Sequence, residues 1–111
     1  MEYRIYHTIK EIVKHAEDTY GSCDAVRYKT GKDTIEAKTY RQIGKDSRHF
    51  SQAIEKLGQQ GAHIALIGVT SYPWLVSYFG IVNGGSVSVP LDVALPAEEL
   101  CELMRRADVT M

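Results

Sequence analysis

The most informative feature of this sequence is a stretch without charge. No Asp, Glu, Lys or Arg occurs between Gly61 and Leu91, although 24% of the chain is charged. A stretch of this kind indicates the buried centre of a fold. Glycine, serine, asparagine and proline residues interrupt it, so no part reaches the ~20 consecutive apolar residues that a membrane span requires.

Cysteine pairs, excess charge and a targeting segment are also lacking. Cys23 and Cys101 lie far apart and form no C-x-x-C pair, so neither a disulfide scaffold nor a zinc site is indicated. A net charge of −1, with both signs interspersed, provides no basic surface for nucleic acid or for an anionic membrane. The N-terminus lacks the apolar run of a secretory signal. We therefore predict a cytoplasmic protein with no nucleic-acid partner and no transmembrane segment.

The uncharged stretch predicts a strand, a helix and a second strand. G-A-H-I-A-L-I-G and G-S-V-S-V-P-L are typical of buried strands, and S-Y-P-W-L-V-S-Y-F-G-I-V-N lies between them as a helix. A connection of this length predicts a parallel βαβ unit. The helix is apolar on nearly all sides and needs cover on two faces. Because 111 residues leave little chain for that cover, and a strand begun at Val109 would leave an open sheet edge, we expect the chain to associate as a dimer or higher oligomer. Trp74 and Phe79 are the residues whose replacement by polar ones tests this expectation.

Two helices and a hairpin are predicted before this unit. T-I-K-E places a cap at Thr8 for a helix that ends near Gly21. A-V-R-Y-K and T-I-E-A-K-T alternate apolar and polar residues around T-G-K-D, which is typical of an antiparallel hairpin. Thr39 caps a second helix that ends at Gly58. The apolar face of the first helix comprises Ile9, Ile12, Val13 and Ala16, and the face that the second should bury comprises Tyr40, Ile43, Ser47, Phe50, Ile54 and Leu57.

A last helix and the beginning of a strand follow the uncharged stretch. L-P-A-E-E-L-C-E-L-M-R-R-A has proline in the first turn, acids early and arginines late, in agreement with the helix dipole. Residues 108–111 then predict the first residues of a third parallel strand, and natural domains seldom end inside such an element.

The expected fold class is α/β, with a parallel βαβ core and a small N-terminal hairpin. We expect residues 1–111 to form one truncated domain without a complete active site.

Two glycine-containing turns are the candidates for an anion site. Gly84 and Gly85 follow a helix, whereas phosphate-binding glycines precede one, so we interpret the pair as a left-handed helix cap. One of them should have a positive φ, and the other should tolerate alanine. The junction from Gly68 to Ser71 has the correct order, but it contains one glycine and no lysine. We interpret Ser71 or Thr70 as a plain helix cap and expect no ATP binding by this chain alone.

The remaining reactive side chains form no catalytic pattern. The histidines lie in separate elements, and Glu98 and Glu99 suit the helix dipole better than acid–base catalysis. No serine lies in a G-x-S-x-G turn, and the aromatic residues of the central helix are interpreted as packing residues. We therefore assign no catalytic, cofactor-binding or metal-binding residue. The histidines are His7, His15, His49 and His63, and the aromatic residues are Tyr72, Trp74, Tyr78 and Phe79.

Three segments together resemble a known family. T-Y-R-Q-I at a helix start, H-I-A-L-I-G-V-T-S-Y-P-W-L-V-S-Y-F-G-I-V-N-G-G before V-S-V-P-L-D, and the helix after them match the opening of AMP-forming adenylating enzymes in order and spacing. That family includes acyl-CoA synthetases, luciferases and peptide-synthetase adenylation domains. The resemblance runs from about Thr8 to Met111. The amino-acid sequence of the central helix and of the segment V-P-L-D-V-A-L-P-A-E-E-L looks most like that of bacterial long-chain fatty acid-CoA ligases.

The resemblance implies a parent enzyme. Such a ligase activates a long-chain fatty acid with ATP and Mg²⁺ to an acyl-adenylate and transfers the acyl group to coenzyme A. The family's phosphate loop, its adenine and ribose contacts and its catalytic lysine lie beyond residue 111. No functional residue therefore carries over, and we expect the chain to be inactive alone and to pair with the remainder of its own polypeptide. Two alternatives stay open: adenylation of an amino or aryl acid, and a self-contained α/β interaction module.

Overall fold

The computed structural model of this chain describes residues 3–111. In chain order its elements are α1 (Ile9–Tyr20), β1 (Asp24–Lys29), β2 (Ile35–Thr39), α2 (Tyr40–Lys56), β3 (His63–Ile67), α3 (Tyr72–Asn83), β4 (Val87–Leu91) and α4 (Ala97–Arg106). The chain divides into a first unit that ends at Asp46 and a second unit, Ser47–Met111. This order of elements confirms the α/β class expected from the sequence.

The first unit contains α1 and the predicted hairpin. β1 pairs with β2 in antiparallel register, with a bulge next to Asp24. The Thr8 hydroxyl accepts a hydrogen bond from the Glu11 amide at 3.1 Å, and Gly21 follows the last residue of α1. A capped N-terminus satisfies one of the amides that the first turn leaves without a partner. Both predicted ends of this helix are therefore confirmed.

The apolar face of α1 is not buried. Ile9 is 38% exposed and Ile12 is 48% exposed, and no residue of this helix is fully buried. Within this unit α1 approaches α2 at Gly44, where an added Cβ would lie 2.6 Å from the carboxyl carbon of Glu17. The helix therefore forms where its periodicity predicts, while the apolar stripe stays accessible.

A capping box begins α2. The Gln42 amide donates to Thr39 Oγ1 at 3.2 Å, and the Thr39 amide donates to Gln42 Oε1 at 2.8 Å. Gly58 has a φ of +72°, the left-handed conformation that ends many helices. Leu57 lies beyond the last helical residue and is 64% exposed, so its expected burial is wrong. The residues of the predicted face that are buried are Ile43, Ser47 and Ile54.

The second unit is built on the predicted parallel βαβ arrangement. β3 and β4 pair in parallel, with His63 opposite Val87 and Ile67 opposite Leu91. α3 joins them and packs against both strands. The buried core of this unit comprises Ile54 of α2, Ile64 of β3 and Ile81 of α3. Burying such side chains stabilises a fold by about 1.5–3 kcal/mol each, so this small set anchors the unit.

α3 approaches α2 through two glycines. A Cβ on Gly80 would lie 2.7 Å from Phe50 Cδ1 and 3.0 Å from the Ser47 carbonyl oxygen. A Cβ on Gly84 would lie 3.0 Å from the Cβ of Ser51. The Ser51 hydroxyl donates a hydrogen bond to the Gly80 carbonyl at 2.5 Å. Side chains at these two positions would push the helices apart, so glycine fixes the distance between them.

Gly85 holds the positive φ of the turn that follows α3. Its φ is +87°, whereas Gly84 has a φ of −87°. A Cβ on Gly84 would also lie 2.9 Å from the Gly80 carbonyl oxygen. The predicted left-handed turn is therefore confirmed. The expectation that the second glycine tolerates alanine is wrong, because Gly84 belongs to the helix contact.

The chain beyond α4 returns to the sheet. Asp108 has a φ of +57°, a conformation that glycine or asparagine adopts more easily at the end of a helix. The Thr110 amide then donates to the His63 carbonyl at 3.0 Å, and the Ala65 amide donates to the Met111 carbonyl at 2.8 Å. Residues 110–111 thus lie beside β3, in agreement with the predicted beginning of a third strand.

α4 lies on the face of the sheet opposite to the core. Ile64 points into the core with α2 and α3, and successive side chains of a strand point to opposite faces. Its neighbour His63 therefore points to the other face, where Nδ1 is 2.7 Å from the carbonyl oxygen of Ala107, just after α4. The chain changes from one face of the sheet to the other between β4 and α4.

Replacing Gly80 with alanine should destabilise the second unit by about 1–3 kcal/mol, because the new methyl group overlaps α2. Gly68→Ala is the matched control, since its Cβ would meet only Trp74 Cδ1 at an ordinary 3.9 Å. Urea unfolding followed by circular dichroism measures both. Equal midpoints for the two variants would contradict the role of Gly80.

Replacing Gly85 with valine should cost about 1–2 kcal/mol for backbone conformation alone, because an added Cβ meets no atom within 4 Å there. Gly85→Asn should cost less, since asparagine tolerates a positive φ. Urea unfolding of both variants, compared with the parent chain, tests this order. Equal stability of the valine variant and the parent would remove the capping argument.

Candidate functional site

The junction between β3 and α3 is the segment whose order suits an anion. Ser71 precedes α3 in extended conformation, and its hydroxyl accepts a hydrogen bond from the Trp74 amide at 3.3 Å. Pro73 lies in the first turn and has no amide proton. The cap and the proline therefore remove backbone N–H donors that a bound phosphate group would need. The interpretation of Ser71 as a helix cap is confirmed.

A carboxylate follows β4 at the same edge of the sheet. Ile67 and Leu91 are paired residues at the ends of parallel strands, so Gly68 and Asp92, which follow them, both lie at the carboxyl edge of the sheet. Asp92 Oδ1 accepts a hydrogen bond from the Ala94 amide at 2.9 Å, which holds this turn. A negative charge at this edge disfavours a phosphate group. The junction is better suited to shaping the turn than to binding an anion.

The histidines do not converge on one site. His63 bonds the carbonyl of Ala107, and His15 Nδ1 lies 2.7 Å from the guanidinium of Arg4. His7 and His49 are exposed. Within residues 3–111, no three His, Cys, Asp or Glu side chains are close enough together to hold a metal ion. The described part of the chain therefore offers no metal centre.

The charged residues of α4 stabilise the helix. Glu98 and Glu99 lie in its first turn, where Pro96 provides no side-chain cap. In the last turns Glu102 pairs with Arg105 and, at 3.0 Å, with Arg106. Acids at the N-terminus and bases at the C-terminus of a helix complement its dipole. This arrangement fits the interpretation of these residues as structural.

A displaced pKa on the hairpin also belongs to a surface ion pair. The hydrogen bond from Glu36 raises the pKa of Lys38, and the two side chains lie 3.2 Å apart on the hairpin. A raised pKa keeps this amine protonated at neutral pH. Lys38 is therefore an ion-pair partner and is unsuited to act as a general base.

The aromatic residues of α3 pack against one another. The rings of Trp74 and Tyr78 stack at 5.5 Å with an interplanar angle of 3°, and Tyr78 meets Phe79 edge to face at 5.8 Å. All three side chains are half-buried. Such pairs add stability beyond the area they bury. Their geometry fits the predicted packing role.

Sequence reasoning missed an aromatic cluster in the first unit. His15 lies between Tyr6 at 5.6 Å and Tyr20 at 6.5 Å, and Tyr20 reaches Tyr40 at 6.0 Å. Arg4 lies over the Tyr6 ring at 5.5 Å. These residues come from three separate segments, so no single motif reveals them. The cluster ties the N-terminal segment to the helices of its own unit.

The β3–α3 junction is a poor site for a phosphate group, and the described residues form no cluster for a metal ion. The capped junction offers few amide donors, and residues 3–111 bring together no acidic or histidine cluster for a metal. We therefore assign no step of a nucleotide-dependent reaction to a residue of this chain. Also within residues 3–111, no helix combines the length and the apolar character that crossing a membrane would take.

The fold resembles the N-terminal subdomain of adenylate-forming enzymes. The N-terminal subdomain of Klebsiella oxytoca NpsA, solved with anthranilyl-AMSN, matches with a TM-score of 0.80 at 16% identity, over 92% of this chain and 26% of that one. A fatty acid AMP ligase from Legionella pneumophila matches with a TM-score of 0.81 at 14% identity, over 92% of this chain and 18% of that one. At these identities the likeness shows the fold alone.

Sequence comparison identifies the family. The AMP-binding enzyme family matches residues 13–111, and this chain belongs to it. Nonribosomal peptide synthetase 5 of Aspergillus fumigatus is 24% identical over 104 residues, which cover 94% of this chain and 4% of the relative. Nonribosomal peptide synthetase criC of Aspergillus cristatus is 32% identical over 69 residues, 62% of this chain and 3% of the relative. The chain thus spans a few per cent of the length of these curated relatives.

The chain should not bind ATP in the micromolar range, because its capped junction offers few free amides and no lysine. Isothermal titration with ATP and Mg²⁺ is the measurement. Ser71→Ala should lower stability by about 1 kcal/mol through loss of the cap, while Ser71→Asp should keep the cap. A saturable heat in the parent that disappears in Ser71→Asp would place the phosphate site at this junction.

Proposed function

We propose that this chain is the opening part of the large domain of a ligase that activates a carboxylic acid with ATP to an acyl-adenylate. The observation that carries the proposal is the family match over residues 13–111. The likeness to an N-terminal subdomain from the same class of fold supports it. The chain's own contribution is structural: its parallel strands and its α2–α3 contact build a platform.

The nucleotide chemistry would belong to other parts of a longer polypeptide. ATP with Mg²⁺ supplies the adenylyl group in such a reaction, and coenzyme A accepts the acyl group in a CoA ligase. The capped β3–α3 junction and the lack of a metal-binding cluster among residues 3–111 support this proposal. We therefore propose that the 111-residue chain is inactive alone, that its partner is the remainder of an adenylating polypeptide, and that it works in the cytoplasm.

An amino or aryl acid is our first candidate for the carboxylate. The curated relatives named above are nonribosomal peptide synthetases, and NpsA was solved with anthranilyl-AMSN. These names support the alternative that the sequence left open. They favour an adenylating enzyme of amino or aryl acids over a fatty acid-CoA ligase.

A long-chain fatty acid is the second candidate. The amino-acid sequences of α3 and of the turn after β4 resemble those of fatty acid-CoA ligases. A fatty acid AMP ligase also shares the fold, at a TM-score of 0.81. Pockets that select a carboxylate depend on shape and on a few polar groups. The order of the two candidates therefore rests on the relatives named above and not on a residue of this chain.

ATP–pyrophosphate exchange tests the proposal. The DNA that follows the codon of Met111 is read first, and the polypeptide it encodes with this chain is assayed with amino acids, aryl acids and long-chain fatty acids. We expect exchange with an amino or aryl acid and none from the 111-residue chain. The matched control is the same assay without an acid.

Three results would contradict parts of this proposal. Exchange only with long-chain fatty acids would favour the second candidate. Exchange by the 111-residue chain alone would overturn its structural role. A stop codon directly after Met111, with no exchange in any sample, would favour a self-contained interaction module.

A further inference from the structure

The segment that precedes α1 in the first unit lies against this helix through alternate side chains. Arg4 and Tyr6 both contact His15 of α1. Tyr3 and Ile5, which alternate with them, are 89% and 81% exposed. Such an alternation is typical of an extended segment with one face on its support. The contacts at His15 therefore hold this segment on the helix.

The bond between Arg4 and His15 fixes the protonation state of the imidazole. A guanidinium nitrogen of Arg4 lies 2.7 Å from His15 Nδ1. A guanidinium has N–H donors and no acceptor, so Nδ1 must accept this hydrogen bond. An imidazole accepts at Nδ1 only when it is neutral and carries its proton on Nε2. The contact therefore exists in one charge state of His15.

The Tyr6 ring belongs to the same group of side chains. Arg4 lies over this ring at 5.5 Å, and the ring meets the His15 imidazole at 5.6 Å. A cation over an aromatic face is attracted by the electrons of the ring. Displacement of Arg4 would therefore remove a contact from both Tyr6 and His15.

The nearby carboxylates of α1 have partners other than His15. Glu11 Oε2 accepts a hydrogen bond from the His7 amide at 2.8 Å, and Asp18 pairs with Lys14 at 3.0 Å. Glu17 lies against α2, about 200° around the helix from His15. Arg4 is thus the charged group that these contacts place on the imidazole.

Hydroxyl and phenol side chains from α1 and α2 also lie beside His15. The Thr19 hydroxyl is 3.4 Å from Nδ1 and 3.5 Å from Nε2, and a hydroxyl can donate or accept. Tyr20 meets the imidazole edge to face, and Tyr40 of α2 reaches the group through Tyr20. His7 is exposed on the segment itself. These neighbours suit either charge state of His15, so Arg4 decides between the two states.

We propose that the Arg4–His15 contact is a pH-sensitive tether, which holds the N-terminal segment on α1 when His15 is neutral and releases it when His15 is protonated. Histidine is the side chain that changes charge between about pH 5 and 8. Protonation turns Nδ1 into a donor and places a second positive charge beside the guanidinium, so the hydrogen bond is lost. The released segment leaves His15 free to bind one more proton, so docking weakens as the pH falls. The inference does not depend on the role proposed in acid adenylation.

His63 of the second unit provides an internal control. Its Nδ1 lies 2.7 Å from the carbonyl oxygen of Ala107, which is an acceptor, so this nitrogen already donates. Protonation of His63 adds a proton at Nε2 and leaves that bond in place. Acidification should therefore break the contact of His15 and preserve the contact of His63.

NMR spectroscopy of the 111-residue chain between about pH 7.5 and pH 5 tests this proposal. The Hε1 chemical shift of His15 reports its protonation, and the nuclear Overhauser effect between the Tyr6 and His15 rings reports docking. We expect this effect to weaken about tenfold along the titration curve of His15, because a hydrogen bond from a charged donor is lost. The contact between His63 and Ala107 should persist.

Two variants separate the charge of the contact from its shape. His15→Gln keeps an acceptor for Arg4 and does not gain a proton in this range, so the Tyr6 ring shifts should not depend on pH. Arg4→Gln removes the cation, and its amide can donate to the neutral imidazole or accept from the protonated one. The effect between the Tyr6 and His15 rings should therefore survive at pH 5 in Arg4→Gln.

An undiminished effect between the two rings at pH 5, with His15 protonated, would overturn the proposal. Tyr6 shifts that still follow the pH in His15→Gln would overturn it too, because another group would then be titrating. Loss of the effect in Arg4→Gln along the same curve as in the parent would contradict the charge argument. Simultaneous loss of the His63 contact would assign the change to acid unfolding and contradict the tether.

Discussion

The close contact between α2 and α3 is the constraint on which the second unit depends. Gly80 allows α3 to lie against the Ser47 carbonyl and Phe50, and the Ser51 hydroxyl bonds the Gly80 carbonyl at this point. Ile81, the residue after Gly80, is 1% exposed. Among residues 3–111 it is the one large side chain that is fully buried. The partly buried hydrogen bond to the Gly80 carbonyl holds the two helices in one register. The distance between α2 and α3 thus decides whether this isoleucine reaches the strands.

The candidate site follows from the same arrangement. Once α3 lies on the sheet, its N-terminus and the turn after β4 meet the same carboxyl edge, which is where ligands bind in many open α/β sheets. In this chain a serine cap, a proline and an aspartate occupy that edge, and each favours turn geometry over anion binding. The membership in the AMP-binding enzyme family therefore rests on the order of elements and the sequence match. The role proposed for this chain is accordingly to support a site.

Much of the fold could be predicted because local signals and burial agreed. The capping box at Thr39 predicted where α2 begins. The charge-free stretch predicted the parallel pair of strands. The glycine contact was missed, although S-x-x-x-S in α2 and G-x-x-x-G in α3 carry the signal, since only packing shows which faces meet. The exposed stripe of α1 was missed for the same reason: periodicity shows that a helix has an apolar face but does not show what covers it. The acid substrate could not be predicted, because no sequence motif of this chain points to a residue that would select an acid.

Native-state hydrogen exchange followed by NMR tests the central claim most directly, since it ranks the stability of each segment in one experiment. If the α2–α3 contact and the three-isoleucine core hold the second unit together, the amides of Ile64, Leu66 and Ile81 should exchange most slowly. The amides of α1, which has no buried residue, should exchange much faster. Exchange from Ile64 and Ile81 that is as fast as exchange from α1 would contradict the account.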